Sequence, residues 1–336
     1  MVETKRPVVL VTADFTEPEL ERLATFAEVR VGGWGVTGVI PDTEELIGLL
    51  NGVDILAIAW EEITDEVLQR SDLKYIASVR GGPGGNIDLE AARRRNVPVT
   101  GTLGREAIPV AEFAFGLMIG WLRFIPETYR RLRGGELTSL LPPPPGDLGW
   151  GMDAGDPWIY YRGEDLYGKT LGLVGLGAVG KLVATRAAAF GMRVRAYDPF
   201  VESWPSVEVT SLESVMESDI ISIHARYGPE THGLVGAEQL AKMPAHGLLI
   251  NTARPNLVDR DALLDALRSK QIAGAALDVH FKEPLDPDDP FLALPNVLCT
   301  PHIAGSSHGV TQVQSAQVVD NIRRFVDGAP LETRVA

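Results

Sequence analysis

The sequence has little cysteine, no long hydrophobic run and a deficit of positive charge. Cys299 is the only cysteine among 336 residues, which excludes an intramolecular disulfide and a thiol-rich metal site. Lysine and arginine total 31 against 45 aspartates and glutamates, and the resulting net charge of −14 opposes nonspecific binding to nucleic acid or to an anionic membrane. No 18-residue apolar stretch occurs and the N-terminal apolar run is too short for a signal peptide, so we expect a cytoplasmic protein.

Length and composition favour a globular protein of about two domains. The hydrophobic fraction is 45%, which is enough for ordinary cores. The first hundred residues alternate between apolar runs typical of buried strands and segments typical of helices. The strand-like runs are 7–15, 53–60, 73–79 and 97–100, and the helix-like segments are 17–27, 64–70 and 88–96. This alternation predicts a parallel sheet.

Two unusual segments follow. Residues 107–133 are apolar all round in their first part, which indicates a helix buried between domains or subunits. Glu112 and a later arginine cluster argue against a membrane span. Residues 134–163 contain the proline run Pro142–Pro145 and two tryptophans. Because proline lacks a backbone N–H, the proline-rich part is expected to form neither a helix nor a central strand.

A glycine-rich turn begins the second half of the chain. Gly175, Gly177 and Gly180 form the pattern G-x-G-x-x-G between the strand-like run 171–174 and a helix-like segment. A second strand-like run, 193–197, is followed by Asp198, 18 residues after the last glycine. A lone glycine pattern would favour an ordinary turn. With strand, helix, strand and acid in this order, the pattern predicts a dinucleotide-binding site.

Each position of this pattern has a physical role in the predicted site. The first glycine allows the tight turn, the second lets the backbone approach a pyrophosphate at the positive end of the helix, and the third lets the helix pack on its strand. The cofactor-binding residues predicted in this turn are Gly175, Gly177, Ala178, Val179 and Gly180. Asp198 is suited to bind both ribose hydroxyls and to repel a 2′-phosphate. Residues 199–203 offer no arginine, so the pattern favours NAD over NADP.

Polar residues follow three of the later strand-like runs. Arg254, Glu283 and His302 come after the runs 247–251, 273–279 and 297–300, at the strand ends where open α/β sheets bind ligands. Arginine binds a carboxylate with a planar fork, and histidine delivers a proton near neutral pH. A carboxylate beside the histidine favours its protonated form. Singly, the three would be a surface arginine, a solvated glutamate and a capping histidine. Together they indicate hydride transfer to a 2-keto acid.

The chain resembles the D-isomer-specific 2-hydroxyacid dehydrogenase family over nearly its whole length. The resemblance is carried by residues 168–180, 251–254, 276–279 with 283–284, and 300–305. It implies that Arg254, Glu283 and His302 form the catalytic set, and that the cofactor is NAD.

The same resemblance implies further cofactor contacts. Asp278 would hold the nicotinamide amide, and Thr252 and Ala253 would line the nicotinamide. His224 and Ala225 would border the cofactor. No metal is expected.

The resemblance also implies the domain organisation. Two doubly wound parallel-sheet α/β domains are expected, with a Rossmann NAD-binding domain, residues 107–305, inserted into a flavodoxin-like substrate domain. The substrate domain would comprise residues 1–106 and the C-terminal helix segment 306–336. The helix that begins near Val110 typically helps to form a homodimer in this family.

The chain departs from the family pattern at several places. Pro255-Asn256 follows Arg254, where the family usually has glycine, and the proline removes a backbone donor beside the substrate. Glu106 replaces an asparagine common in relatives. His280 stands where relatives often have phenylalanine or tyrosine, and we interpret it as peripheral to catalysis.

The loop 80–88 is the predicted specificity loop. It seats the substrate carboxylate on backbone N–H groups in the family, but here it contains Pro83, which cannot donate, and is one residue short. Arg80 is suited to bind a second anionic group, such as a phosphate or carboxylate, or to be a salt-bridged structural arginine. Arg105 is another candidate cation. The substrate-binding residues predicted from these segments are Arg80, Gly81, Gly82 and Arg105.

Three functional hypotheses follow. The first is an NAD-dependent dehydrogenase that acts on a small D-2-hydroxyacid or reduces the 2-keto acid, including one with a second anionic group. The second keeps the same machinery but oxidises another oxyanion, such as a phosphonate or phosphite. The third is a non-catalytic NAD-sensing binding protein.

Overall fold

The computed structural model describes residues 6–138 and 157–336 and separates into two compact units. The first unit comprises Met1–Glu106 and Ser306–Ala336, and the second comprises Ala107–Gly305. The proline run predicted to be irregular, 142–145, lies outside the described residues.

The first unit is built on a five-stranded parallel sheet. Its strands are β1 (Val8–Val11), β2 (Glu28–Val31), β3 (Ile55–Ile58), β4 (Tyr75–Ser78) and β5 (Val99–Thr100). The order β2-β1-β3-β4-β5 is the flavodoxin order. Strands β1, β3 and β4 are buried along their whole length, because helices cover both faces of a doubly wound sheet.

The second unit contains a seven-stranded parallel sheet. Its strands are β6 (Thr170–Val174), β7 (Arg193–Tyr197), β8 (Val207–Val209), β9 (Ile220–Ile223), β10 (Leu248–Asn251), β11 (Gly274–Leu277) and β12 (Val297–Cys299). The order β12-β11-β10-β9-β6-β7-β8 extends the Rossmann order by one strand. The predicted fold class is therefore confirmed for both units.

Helices connect most of these strands. They are α1 (Glu17–Ala24), α2 (Trp34–Thr37), α3 (Thr43–Leu49), α4 (Asp65–Gln69), α5 (Leu89–Arg94), α6 (Ala107–Leu122), α7 (Ile125–Arg133), α8 (Pro157–Tyr160), α9 (Ala178–Ala189), α10 (Leu212–Met216), α11 (Ala237–Leu240), α12 (Arg260–Arg268) and α13 (His308–Val326). Local chemistry sets several starts. Asp88 caps α5 by accepting from the N–H of Ala91, and Asp259 caps α12 by accepting from the N–H of Ala262.

The apolar segment 107–133 is two helices rather than one. Phe124 adopts a left-handed backbone conformation with φ 54°, and α6 and α7 meet at a bend of 64°. Six residues of α6, among them Phe115 and Met118, are buried in the core of the second unit together with residues of β6 and α9. Among the described residues, no single helix is both long and apolar enough to cross a membrane. The bent pair meets that criterion by length and composition only.

Candidate active site

The turn between β6 and α9 has three glycines with different steric surroundings. Gly175 has φ +100°, and a Cβ there would lie 2.6 Å from the backbone nitrogen of Ala225. A Cβ on Gly180 would overlap the carbonyl oxygen of Gly175, so the helix packs directly on the turn. A Cβ on Gly177 would meet no atom within 4 Å. The first and third glycines are therefore required by packing, whereas the second borders open space.

The start of α9 is suited to bind an anion. No side chain caps the helix, so its first N–H groups point outward at the positive end of the helix dipole. Asp198 lies beside the turn, where its Oδ2 accepts from the N–H of Leu176 at 2.7 Å and its Oδ1 from Phe200 at 2.9 Å. Each carboxylate oxygen keeps lone pairs for a further donor. The open space at Gly177 and the fixed carboxylate together fit a dinucleotide.

Two residues at neighbouring strand ends complete this side of the second unit. His224 follows β9, and burial lowers its pKa to about 4, so the ring is neutral at physiological pH. Its Nε2 lies 2.9 Å from the hydroxyl of Ser222. Thr252 follows β10, and its buried hydroxyl has no hydrogen-bond partner among the described residues. A buried hydroxyl without a partner is costly, which favours a bound ligand there.

Arg254 sits in a turn that Asn251 holds. The Asn251 side chain accepts from the N–H of Ala253 and donates to the carbonyl of Arg254, both at 3.0 Å. Pro255 begins a 3-10 turn, Pro255–Leu257, where a missing N–H is tolerated. The Arg254 side chain is exposed, and its Nη1 donates to the Ala253 carbonyl at 2.6 Å. Neither a hydrogen bond nor an ion pair joins it to Glu283 or His302 within the described ranges.

Glu283 and His302 are brought together. The His302 Nδ1 lies 2.7 Å from the Glu283 Oε2, and both side chains are about 40% exposed (41% and 37%). His302 has φ +57°, in the left-handed region that non-glycine residues adopt rarely. Burial alone would raise the pKa of Glu283. Hydrogen bonds from His302 and from the N–H of His280 outweigh burial and hold this pKa below its ordinary value.

Asp278 anchors the loop that carries His302. Its Oδ1 accepts from the Thr300 hydroxyl at 2.6 Å and the N–H of Ile303 at 3.0 Å, and its Oδ2 accepts from the N–H of Ala304 at 2.7 Å. The residue is 0% exposed. The resemblance implies that this carboxylate holds the nicotinamide amide, but here its donors all come from the loop 300–304.

His280 contacts both Glu283 and the loop that carries His302. Its N–H donates to the Glu283 Oε1 at 3.0 Å, and its ring Nε2 lies 2.8 Å from the carbonyl oxygen of Thr300. The ring is therefore placed to donate from Nε2 and join the loops that carry Glu283 and His302. The interpretation of His280 as peripheral to catalysis stays a prediction. The sequence position, three residues before Glu283, was the available signal for these contacts.

The first unit has its own polar group at the carboxyl ends of its strands. Arg80 follows β4, is half-buried, and donates from Nη1 to the Asn86 Oδ1 at 3.2 Å. The backbone N–H groups of Gly81 and Gly82 are exposed and have no acceptor within the described residues, so they are available to a carboxylate. Pro83 is buried and begins a 3-10 turn, so the missing donor falls inside the loop.

Arg105 is engaged within the protein. Its Nη2 lies 2.8 Å from Glu106, the residue that stands in place of the family's common asparagine. Its Nη1 donates to the side chain of Gln314 on α13. Arg105 is therefore partly neutralised, whereas Arg80 forms no ion pair among the described residues.

A dinucleotide turn and a carboxylate–histidine pair in one Rossmann unit define a nicotinamide-dependent dehydrogenase. A family model described as D-isomer specific 2-hydroxyacid dehydrogenase, NAD binding domain, matches residues 115–304. The chain belongs to this family. The family resemblance and the enzymatic nature of the protein are thereby confirmed, and the cofactor is a nicotinamide dinucleotide.

Individual relatives are similar over most of their length. A glyoxylate reductase of Korarchaeum cryptofilum is 34% identical over 96% of this chain and 94% of that protein. A glycerate dehydrogenase of Methylorubrum extorquens is 36% identical over 85% of this chain and 87% of that protein. A solved structure of an NADPH-dependent glyoxylate/hydroxypyruvate reductase from Sinorhizobium meliloti in complex with citrate has a TM-score of 0.75 at 28% identity and covers 98% of each chain. These relatives act on small anionic substrates.

Proposed function

We propose that the protein is an NAD-dependent dehydrogenase that interconverts a small D-2-hydroxyacid and the corresponding 2-keto acid. The observation that carries the proposal is the 2.7 Å contact between His302 Nδ1 and Glu283 Oε2. Both residues follow strands at the carboxyl edge of the sheet whose first strand leads into the glycine turn. In this reaction the nicotinamide supplies or accepts a hydride at the carbon that bears the oxygen.

Three side chains would carry the remaining chemistry. His302 would donate a proton from its Nε2 to the carbonyl oxygen in the direction of reduction and take it back in oxidation. Glu283 would fix the ring through Nδ1 and stabilise its positive charge. Arg254 would bind the substrate carboxylate, which requires its guanidinium to leave the Ala253 carbonyl.

The cofactor would be held by the turn and by the strand ends that follow it. The groups proposed to contact it are Gly175, Gly177, Ala178, Val179, Gly180, Asp198, His224, Ala225, Thr252 and Ala253. Asp278 would support the nicotinamide site through the loop that its carboxylate ties. Asp198 supports a preference for NAD, because a carboxylate there repels a 2′-phosphate. A comparison of NADH with NADPH tests this preference, since the solved relative is NADPH-dependent.

The first unit would be the substrate-binding domain and the second the NAD-binding domain. Gly81 and Gly82 would donate backbone N–H groups to a substrate carboxylate, and Arg80 and Arg105 would supply positive charge. We also propose a homodimer in the cytoplasm, which size measurement and cell fractionation would test.

A substrate panel tests the proposal. Purified protein would be assayed with NADH or NADPH and a set of 2-keto acids that includes glyoxylate and hydroxypyruvate, by loss of reduced-cofactor absorbance. We expect turnover with NADH, a lower kcat/KM with NADPH, and loss of turnover in His302→Ala with NADH binding retained. Absence of turnover with every 2-keto acid, or full activity of His302→Ala, would overturn the proposed function. Phosphite and phosphonates belong in the oxidation direction of the same panel.

A further inference from the structure

A buried carboxylate and an amide fix the segment after β3. The Glu61 carboxylate, buried at 0% exposure, accepts from the N–H of Trp34 at 3.1 Å and of Trp60 at 3.2 Å. The Asn86 amide donates to the carbonyls of Ala59 at 3.3 Å and Glu61 at 2.8 Å. The side chains of Glu61 and Asn86 therefore hydrogen-bond to backbone groups of three successive residues, 59–61. These bonds fix the position of the backbone that carries the Trp60 indole.

The ring of Trp60 in this fixed segment packs against the guanidinium of Arg80. The Arg80 guanidinium carbon lies 4.6 Å from the centre of the Trp60 ring. The Trp34 ring packs edge-on against the Trp60 ring, with ring centres 6.0 Å apart and an angle of 70° between the ring planes. Asn86 accepts from the Arg80 Nη1, so the same amide that pins the segment also orients the guanidinium. A planar guanidinium stacked on a ring keeps its in-plane donors for another acceptor, which lysine would not do.

The charges around Arg80 are unbalanced. Glu106 is paired with Arg105 at 2.8 Å. Partial burial and the neighbouring Arg105 lower the pKa of Arg80 by more than Glu106 raises it, as expected for a partly buried cation beside a second cation. Because Trp60 and Arg80 follow the adjacent strands β3 and β4, the cluster lies where ligands bind in an open α/β sheet. A bound anion would relieve both the desolvation and the repulsion.

We propose that Trp60 and Asn86 are positioning residues that hold Arg80 as a receptor for a second anionic group of the substrate. The preferred substrate is then a 2-keto acid that carries a carboxylate or a phosphate besides the carboxylate at C1. This inference rests on the proposed function and narrows its substrate class.

Matched substrate pairs test the charge of the substrate. Oxaloacetate and 2-oxobutanoate differ in a terminal carboxylate, and 3-phosphohydroxypyruvate and hydroxypyruvate differ in a phosphate. We expect the wild-type kcat/KM for the doubly charged member of one pair to exceed that of its partner by roughly tenfold or more, since a charge-assisted hydrogen bond is worth on the order of tenfold to a hundredfold. A preference within the first pair would indicate that Arg80 binds a carboxylate, and a preference within the second pair would indicate a phosphate. Equal or higher kcat/KM for both singly charged members would overturn the proposal.

Variants of Trp60 test the positioning role. Trp60→Leu removes the ring and is expected to raise KM for the doubly charged substrate roughly threefold to thirtyfold, with kcat and the singly charged partner little changed. Trp60→Phe retains a ring face and should recover most of the loss. Phe26→Leu is the matched control, because Phe26 stacks with Arg323 at 4.8 Å in the same unit. The inference is contradicted if Trp60→Leu changes KM equally for both substrates, or changes it for neither.

A binding measurement keeps this test separate from the proposed activity. Calorimetric titration with malonate, a dicarboxylate without a keto group, does not depend on turnover. We expect wild type, Phe26→Leu and Trp60→Phe to bind it and Trp60→Leu to bind it more weakly, with thermal unfolding used to confirm that each variant is folded. Equal binding by wild type and Trp60→Leu would overturn the inference, whether or not any 2-keto acid is reduced.

Discussion

The Nδ1 of His302 lies 2.7 Å from the Oε2 of Glu283, and the other oxygen of that carboxylate accepts from the backbone N–H of His280. The carboxylate thus uses one oxygen for the ring of His302 and the other for its own loop. In the proposed mechanism this division leaves Nε2 of His302 for the substrate.

Replacement of Glu283 by glutamine should slow catalysis and change its pH dependence. The pKa of Glu283 is held below its ordinary value of 4.5, so the pair should persist as the pH falls until the carboxylate is protonated below that value. The amide of Glu283→Gln cannot stabilise a charged ring, and we expect kcat to fall about 10- to 1000-fold. Rates measured from pH 4 to 10 would show it. A variant with wild-type kcat throughout would contradict the pairing.

His280→Phe introduces a side chain that relatives often have, but here it would leave the Thr300 carbonyl without its ring donor. The cost should be about 1–3 kcal/mol in unfolding free energy, because an acceptor near a buried side chain loses its partner. We expect kcat to fall severalfold, with recovery in His280→Gln, whose amide can donate.

The matched control for His280 is His246→Gln. His246 also contacts an acceptor, Asp219, at 2.7 Å, but before β10 rather than at the catalytic loops. Thermal unfolding and kcat would be measured for all three variants. If His280→Phe matches wild type in both, the ring does not join the two loops.

Gly177→Ala and Gly180→Ala separate cofactor binding from folding. A methyl group on Gly177 enters open space, so its unfolding free energy should stay within about 1 kcal/mol of wild type while NADH binding weakens. A methyl on Gly180 overlaps the Gly175 carbonyl and should destabilise by about 1–3 kcal/mol or more. Fluorescence titration with NADH and thermal unfolding would distinguish them. Unaltered NADH affinity in Gly177→Ala would place the pyrophosphate elsewhere.

His224 should affect how the free energy of unfolding depends on pH, but not how kcat depends on pH near neutrality. Its pKa is lowered from 6.5 to about 4, so the unfolded chain binds more protons between these values and stability should fall as the pH drops from 6.5 towards 4. His224→Gln should remove about 1–3 kcal/mol of that pH-dependent change and leave the inflection of kcat near neutral pH unshifted. Urea unfolding at pH 4.5 and 7.5 measures the first effect. An inflection that moves in the variant would show that His224 titrates in the active range.

Local patterns predicted most of the strands but missed two of the four strands at the edges of the sheets. Strand β7 matches its predicted bounds, 193–197, and its apolar residues Val194 and Ala196 alternate with polar ones and are buried. Strands β2 and β8, at the ends of their sheets, were not predicted. Each is short and largely open to solvent, so neither carries a continuous apolar signal. The bend between α6 and α7 was missed although Pro126 marks it in the sequence. Proline breaks the interior of a helix but is tolerated in the first turn, and Pro126 lies in the first turn of α7.

The sequence by itself determined the parts of this protein that depend on residues close together in the chain. Those parts are the βαβ alternation, the glycine turn with Asp198, the caps at Asp88 and Asp259, and the family. Tertiary structure alone decided which partners each polar group found. It placed Asp278 on the loop 300–304 and Arg105 on Gln314, and among the described residues it gave Arg80 no ion pair. The physical reason is that a charge is satisfied or left available by donors and acceptors that only the folded chain brings within about 3 Å.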